Sequence, residues 1–403
     1  MVSSPREVTL LSGQSKFKEL YPDVQDCDMH SVFSPYRVCP LGAHIDHQWG
    51  IVTGFALDKG VTLSFSLRSD SIIVLDSINF PGHVCFDLRG FPDKEGNWGD
   101  YARAAAFSLL RKGYSLEKGF SGVIEGTIPI GGLSSSAAVI LCYMKALMLA
   151  NNITLADMQL VDYALFAENT YIGLNNGKLD QSCEVLCKKQ NLLVLDTRSD
   201  EYYQIPKNPI MPETEMMVIY SGLSRNLGKG YNMRVDEAKS ASYCLKAFSG
   251  MEYGTYKDSR LRDVPSSVFK EYGDKLPENF KKRADHYYSE MERVEKGIEA
   301  WKKGDIVAFG QLMFESGYSS IYSWETGCPE LKAIYTIMKE TDGVYGGRFS
   351  GAGFKGCCVG LIDPTKREAI KESVTNAYLS LFPEYRDVFE IHFCHTVDGV
   401  RVR

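Results

Sequence analysis

The sequence lacks several features that would mark large protein classes. No stretch of its 403 residues reaches ~18 uncharged apolar residues, which excludes a membrane-spanning helix. The opening "MVSSPREVTLLSGQSKFKEL" has no apolar leader core. There is no basic excess: 45 Lys and Arg face 51 Asp and Glu, a net charge of -6. A nucleic-acid footprint, which needs a basic face, is therefore not expected. The 11 cysteines are scattered, odd in number and without a C-x-x-C pair, so a disulfide framework is not expected either. Buried thiols in a reducing compartment fit them better. Cys183 and Cys187 would share one helical face, which leaves a local metal or disulfide pair as the alternative there. No internal repeat, low-complexity tract or long linker appears. What remains is an ordinary globular composition, with 44% hydrophobic and 24% charged residues. The expected setting is the cytoplasm.

A chain of 403 residues exceeds what one core usually serves, so two domains are expected. Residues 51–85 alternate with period two in "VTLSFSLRS" and "SIIVLDSI" and predict strands. Helices are predicted over 98–113, 133–152, 157–174, 229–249, 278–303 and 305–317. "NLLVLDT" and "EMMVIYSG" predict strands. The end reads strand, helix, strand through "GCCVGLID" and "DVFEIHF". "QIPKNPIMPET", with three prolines, is the best candidate for a boundary or crossover. It gives an α+β protein with domains at 1–205 and 206–403.

Three stretches carry chemistry. "PIGGLSSSAA" (129–138) is a glycine turn and a serine run opening a helix. Glycines let backbone N–H groups approach a ligand, and a helix N-terminus suits phosphate. A plainly capped helix is the alternative. The Walker pattern is missing, so this is no P-loop. "GGRFSGAGFKGCCVG" (346–360) holds six glycines. That is more than a hairpin turn needs, and points to a loop packed on another backbone or a phosphate. "AENTYIGLNNGKLDQSCE" (167–184) carries Glu168 and Asp180, either of which alone would be a surface carboxylate or a cap.

Together with "YRVCPLGAHIDHQWG" (36–50) and "GYNMRVDE", these stretches resemble, in order, the GHMP kinase superfamily. More narrowly they resemble its galactokinase branch, whose sugar loop reads G-R-V-N-L-I-G-E-H-T-D-Y-N-G-G. The resemblance spans roughly residues 33–363. It implies a ribosomal-protein-like N-terminal domain and a ferredoxin-like C-terminal domain with the site between them. It implies that Asp180 faces the sugar hydroxyl, with Arg37 beside it keeping it ionised. It implies sugar contacts by His44, Asp46, Gly177 and Tyr231, and a phosphate cradle of Gly131, Gly132, Leu133, Ser134, Ser135 and Ser136. Gly351 and Gly353 belong to the matching glycine loop. ATP is the implied donor, and Ser136 and Glu168 are the implied Mg²⁺ ligands. The histidines of "HIDH" thereby have sugar-binding roles, in place of the metal site their spacing also allows.

Four positions depart from the galactokinase pattern besides one that matters most: Cys39, Pro40, Lys178 and Lys355. The decisive departure is Ala43, where galactokinases carry a Glu that accepts a hydrogen bond from the C6 hydroxyl of galactose. A substrate with a carboxylate at C6 would be repelled by that Glu. "PLGAHIDHQ" is similar to the loop of galacturonokinases, as are "RADHYYSEMERV" and "YGGRFSGAGFKGCC". The expected activity is thus ATP-dependent phosphorylation of galacturonic acid at its anomeric hydroxyl. Galactokinase activity is the first alternative. A non-catalytic sugar and ATP sensor is the second, opposed by the intact "GGLSSSAA" and Asp180. Arg225, Lys178 or backbone N–H groups are the candidates to neutralise the uronate.

Overall fold

The computed structural model describes residues 5–128, 131–223, 230–354 and 356–403, with side chains from residue 13 onward. Pro129, Ile130, Arg225 and Lys355 lie outside the described residues. Helix α1 (Pro5–Leu20) precedes strands β1 (Met29–Val38), β2 (Ile51–Leu67), β3 (Ile72–Ser77) and β4 (Val84–Asp87). Helix α2 (Asp100–Arg111) leads to β5 (Phe120–Gly126), then to α3 (Ser135–Ala150), α4 (Asp157–Phe166) and α5 (Leu179–Leu186). Strands β6 (Asn191–Asp196), β7 (Tyr202–Pro206) and β8 (Glu215–Tyr220) follow. A helical stretch comes next: α6 (Gly230–Phe248), α7 (Ser266–Tyr272), α8 (Glu278–Lys303), α9 (Ile306–Tyr322) and α10 (Pro329–Glu340). The chain closes through β9 (Val344–Phe349), β10 (Cys357–Ile362), α11 (Arg367–Leu381), β11 (Glu390–Cys394), β12 (Thr396–Val397) and β13 (Arg401–Val402).

Among the described residues two sheets form. The larger has the order β13-β1-β2-β5-β3-β4, with β12 and β6 also on β2 and β7 on β6. The smaller, β11-β8-β10-β9, is antiparallel throughout. Alternation in β8 serves both cores. Met216 and Val218 pack in the larger core with Leu63, Leu141, Trp301 and Phe309. Met217 and Ile219 pack in the smaller one with Leu331, Cys358 and Val374. Period-two side chains on a strand covered on both faces produce this split.

The described N-terminal part thus supplies most of the larger sheet, and the C-terminal part supplies the smaller one. The division at residue 205 is incomplete, because β12 and β13 return to pair with β2 and β1. The helix predicted over 157–174 ends at Phe166 and continues as a π-helical turn over Ala167–Ile172, stopped by Gly173 at φ 93°. Single π turns interrupt a helix where a side chain must be re-aimed, and Glu168 sits in this one. No helix among the described residues is long and apolar enough to cross a membrane.

Candidate active site

Arg37 sits near the end of β1, after a register shift between Pro35 and Arg37 that turns the strand. Its guanidinium is buried. Nε donates to Asp180 Oδ1 at 2.7 Å, and Nη1 donates to Gly132 O at 3.0 Å and Ser350 Oγ at 3.2 Å. Burial opposes its charge, but the adjacent Asp180 carboxylate outweighs that and raises its pKa. Asp180 opens α5, and its other oxygen accepts a short hydrogen bond from Ser134. Ser134 stands at the N-cap of α3 with φ 66° and makes no side-chain cap. A left-handed non-glycine residue costs roughly 1–2 kcal/mol. Here it frees the hydroxyl for Asp180, so the plain-cap alternative does not describe Ser134.

The sugar loop lies alongside. Ala43, His44 and Asp46 are each less than 8% exposed and line one pocket of about 430 Å³ with Arg37, Asp180 and Tyr231. His44 takes φ 63°, and its ring stacks on Trp324 at 5.4 Å between centroids. Burial, with His286 and Arg348 nearby, drives its pKa well down, so the ring is neutral. His286 Nε2 meets Ala43 O at 2.9 Å, fixing the loop from α8. Asp46 accepts from Leu179 N at 3.3 Å. Its pKa is pushed up to about 6 by burial first and the Asp180 charge second, against backbone N–H bonds. Gly177 lies over Asp46: a Cβ there would come within 2.6 Å of Asp46 Cγ, so only glycine fits. Tyr231, in the first turn of α6, is half-buried. Its pKa is raised by burial and by the charges of Asp46, Asp180 and Glu168.

The glycine loops meet backbone to backbone. Gly132 has φ 100°, and a Cβ there would lie 2.9 Å from Ser350 O; one on Gly351 would lie 2.9 Å from Gly132 Cα. This contact is what the glycine excess foretold. Glu168 is 1% exposed and accepts from Ser136 Oγ at 2.5 Å, Gln181 Nε2 at 2.6 Å and Asn176 Nδ2 at 2.9 Å. Burial and the Asp180 charge raise its pKa, while those donors restrain it. On the far side of Ser136 a second cavity of about 660 Å³ is lined by Gly131, Ser135 and Ser136 together with Tyr36, Phe80, Trp98 and Tyr101.

The family models for the GHMP kinases N terminal domain and the GHMP kinases C terminal match residues 100–188 and 298–380. Galacturonokinase of Arabidopsis thaliana is 36% identical over 93% of this chain and 94% of its own. The chain belongs to the GHMP kinases. A galactokinase of Clostridium perfringens is 33% identical over 86% of this chain and 89% of its own. The crystal structure of Lactococcus lactis galactokinase complexed with galactose superposes with a TM-score of 0.87 at 27% identity, covering 96% of this chain and 98% of that one. The Methanococcus jannaschii mevalonate kinase shares the fold, with a TM-score of 0.65 at 16% identity.

In this GHMP kinase the pocket gathers Arg37, Ala43, His44, Asp46, Gly132, Ser134, Ser136, Glu168, Asp180, Tyr231, Gly351 and Gly353 on one wall or another. Gly177 lies behind Asp46, and Gly131 and Ser135 face the second cavity. Leu133 lines neither; its side chain is fully buried and its carbonyl accepts from Arg37 N at 3.4 Å. Lys178 is removed from the pocket, because its Nζ is held by Asp200 at 2.7 Å and Asp162 at 3.0 Å. It is therefore no partner for a uronate. Sequence reasoning missed Ser350, Asn176, Gln181, His286, Trp324 and Arg348, and the aromatic second cavity. Asn176 and Gln181, beside Gly177 and Asp180, and Arg348 and Ser350, within the glycine loop, carried a local signal.

Proposed function

We propose that the chain transfers the γ-phosphoryl group of ATP to the anomeric hydroxyl of galacturonic acid, giving galacturonic acid 1-phosphate and ADP. The observation that carries the reading is Asp180, clamped by Arg37 and Ser134 on the wall of a pocket that also holds Ala43 and both glycine loops. Asp180 orients the anomeric hydroxyl and takes its proton as the oxygen attacks phosphorus. The bond from phosphorus to the bridging oxygen breaks, and ADP leaves with that electron pair. Positioning and charge stabilisation dominate such transfers, and Arg37 supplies positive charge beside the attacking oxygen. His44, Asp46 and Tyr231 hold the rest of the sugar.

Gly131–Ser136, Gly351 and Gly353 cradle the phosphates at the N-terminus of α3. The second cavity takes the nucleotide base against Tyr36, Trp98 and Tyr101. A hydroxyl from Ser136 and a buried carboxylate from Glu168, 2.5 Å apart, form the hard oxygen set that Mg²⁺ prefers. Bound there, Mg²⁺ would neutralise phosphate charge. Ala43 supports the uronate as acceptor, since it leaves no carboxylate on the sugar loop to repel one. The test is ATP consumption with galacturonate, glucuronate and galactose side by side. Galacturonate is expected to give the highest kcat/KM, and a preference for galactose would overturn the substrate.

A further inference from the structure

A carboxylate at C6 needs a cation, and the described residues lining the pocket include two permanent ones, Arg37 and Arg348. Arg37 is matched at 2.7 Å by Asp180. Arg348, at the end of β9, is in a different position. It is 1% exposed, and its hydrogen bonds go to neutral acceptors: Ser316 Oγ at 2.5 Å, Ser320 Oγ at 3.0 Å and Phe349 O at 3.1 Å. Its nearest carboxylate, Glu290, stands 3.7 Å from Nη1. Glu290 is already committed to Arg293 at 2.7 Å, to the Gly42 N–H at 2.8 Å and to Ser316 at 2.6 Å. One buried carboxylate thus serves two guanidinium groups. The neighbouring rings, His44 and His286, are kept neutral by burial and do not alter the count. A buried cluster of net charge +1 therefore backs the sugar loop. Burial depresses the pKa of Arg348, with Glu290 only partly opposing, as befits a cation short of a counter-charge.

The pocket side of this cluster carries Ala43 and His44, and His44 Nε2 is buried without a partner. A buried ring nitrogen left unpaired costs free energy until a ligand meets it. We propose that Arg348 selects the uronate, its charge facing the C6 carboxylate across Ala43 while His44 Nε2 meets the same group. The substrate's own carboxylate then completes the charge balance that no side chain at position 43 supplies. This inference rests on the galacturonate reading and adds a specificity-determining residue to it.

The test is kcat/KM for galacturonate and galactose in the wild type, Arg348→Met and Arg348→Lys, with melting temperatures measured alongside. Truncating one partner of a buried charge pair typically costs several kcal/mol, so Arg348→Met should lower galacturonate kcat/KM by at least about a hundredfold. Galactose kcat/KM should fall by at least about tenfold less than that, because a hydroxyl at C6 makes no such demand. If Arg348→Met does not fold, Arg348→Lys decides. Loss of the rigid guanidinium fork should cost galacturonate at least about tenfold more than galactose. Equal losses for both sugars, in whichever variant folds, would overturn the role of Arg348 while leaving the substrate intact. A wild type that prefers galactose overturns both, and that result is read before any mutation is made.

Discussion

Replacing Ala43 by Glu is the sharpest perturbation of specificity. Ala43 is 7% exposed and lines the pocket with Arg348 and His44. A carboxylate added there acts on galacturonate in two ways. Two like charges ~4 Å apart repel by roughly 4 kcal/mol at an effective dielectric of 20. It would also draw on Arg348, removing the counter-charge the substrate would use. Each ~1.4 kcal/mol is tenfold, so the repulsion alone approaches a thousandfold. Galactose gains instead, because its C6 hydroxyl can donate to the new carboxylate for roughly 1.5–3 kcal/mol. If the side chain swings partly toward solvent, both effects shrink together. The ratio of kcat/KM for galacturonate over galactose should still fall by at least about two orders of magnitude. The assay is coupled ADP release with both sugars at fixed ATP and Mg²⁺. A ratio unchanged by the substitution would show that position 43 does not set specificity.

Asp180→Asn should remove most turnover while nucleotide affinity stays near wild type; retention of more than about a tenth of kcat, a loss under ~1.4 kcal/mol, would refute its role at the acceptor hydroxyl. Glu168→Gln should raise the Mg²⁺ concentration needed for half-maximal rate more than it raises the sugar KM, because an amide is a weaker ligand for a hard cation. An unchanged Mg²⁺ titration would reduce Glu168 to a structural partner of Ser136. For pH, Asp46 has its carboxyl pushed up to about 6, so as pH falls through that value it loses its charge and with it the stronger, charge-assisted hydrogen bonds from sugar hydroxyls. The sugar kcat/KM, which reports the free enzyme, should therefore fall on the acid side of about 6 and flatten in Asp46→Asn. A wild-type profile flat across that range would refute the assignment.

Much of the site was legible because its signals are local. A serine run opening a helix, a glycine excess and the "LDQ" carboxylate each sit within about fifteen residues, and the fold brings them to one pocket. The contact of Gly351 on Gly132 explains why six glycines were spent where a turn needs fewer. What the sequence hid is long-range. His286 and Glu290 come from α8 and Trp324 from just past the end of α9, the first two more than 240 residues beyond Gly42 and Ala43. Their spacing in "RADHYYSEMERV" reads equally as a solvated helix face. Lys178 misled for the converse reason: its place next to the site residues in sequence says nothing of its ion pairs with Asp162 and Asp200. The two-residue strands β12 and β13 are too short to show any period, so their return to the first sheet had no signal.

The arrangement also bears on how an acidic protein can take the phosphates of a nucleotide into a pocket lined with carboxylates. Asp46, Glu168 and Asp180 line the pocket, the buried Glu184 lies behind them one turn along α5 from Asp180, and four full charges there would repel phosphate. They do not all stay charged. Glu184, 0% exposed with both oxygens lacking a partner, has its pKa driven well above the carboxylate range by burial first and the Asp180 charge second. The same burial raises Asp46 and Glu168. Asp180 differs in having Arg37 against it. Arg37 thus offsets the Asp180 carboxylate, while Arg348 at the other end has only neutral hydrogen-bond acceptors. The cost appears as stability. A carboxyl whose folded pKa is raised contributes fully only below its unfolded pKa, near 4, and loses that contribution as pH rises through the folded value. For Asp46 that window runs up to about 6, so above it the apo enzyme carries the full cost of ionising this buried acid. Ligands that hydrogen-bond to Asp46, or set Mg²⁺ against Glu168, favour the ionised forms and relieve it. Binding of sugar and metal should therefore stabilise the protein more at neutral than at acid pH, because only there are the charges they neutralise being held at a cost.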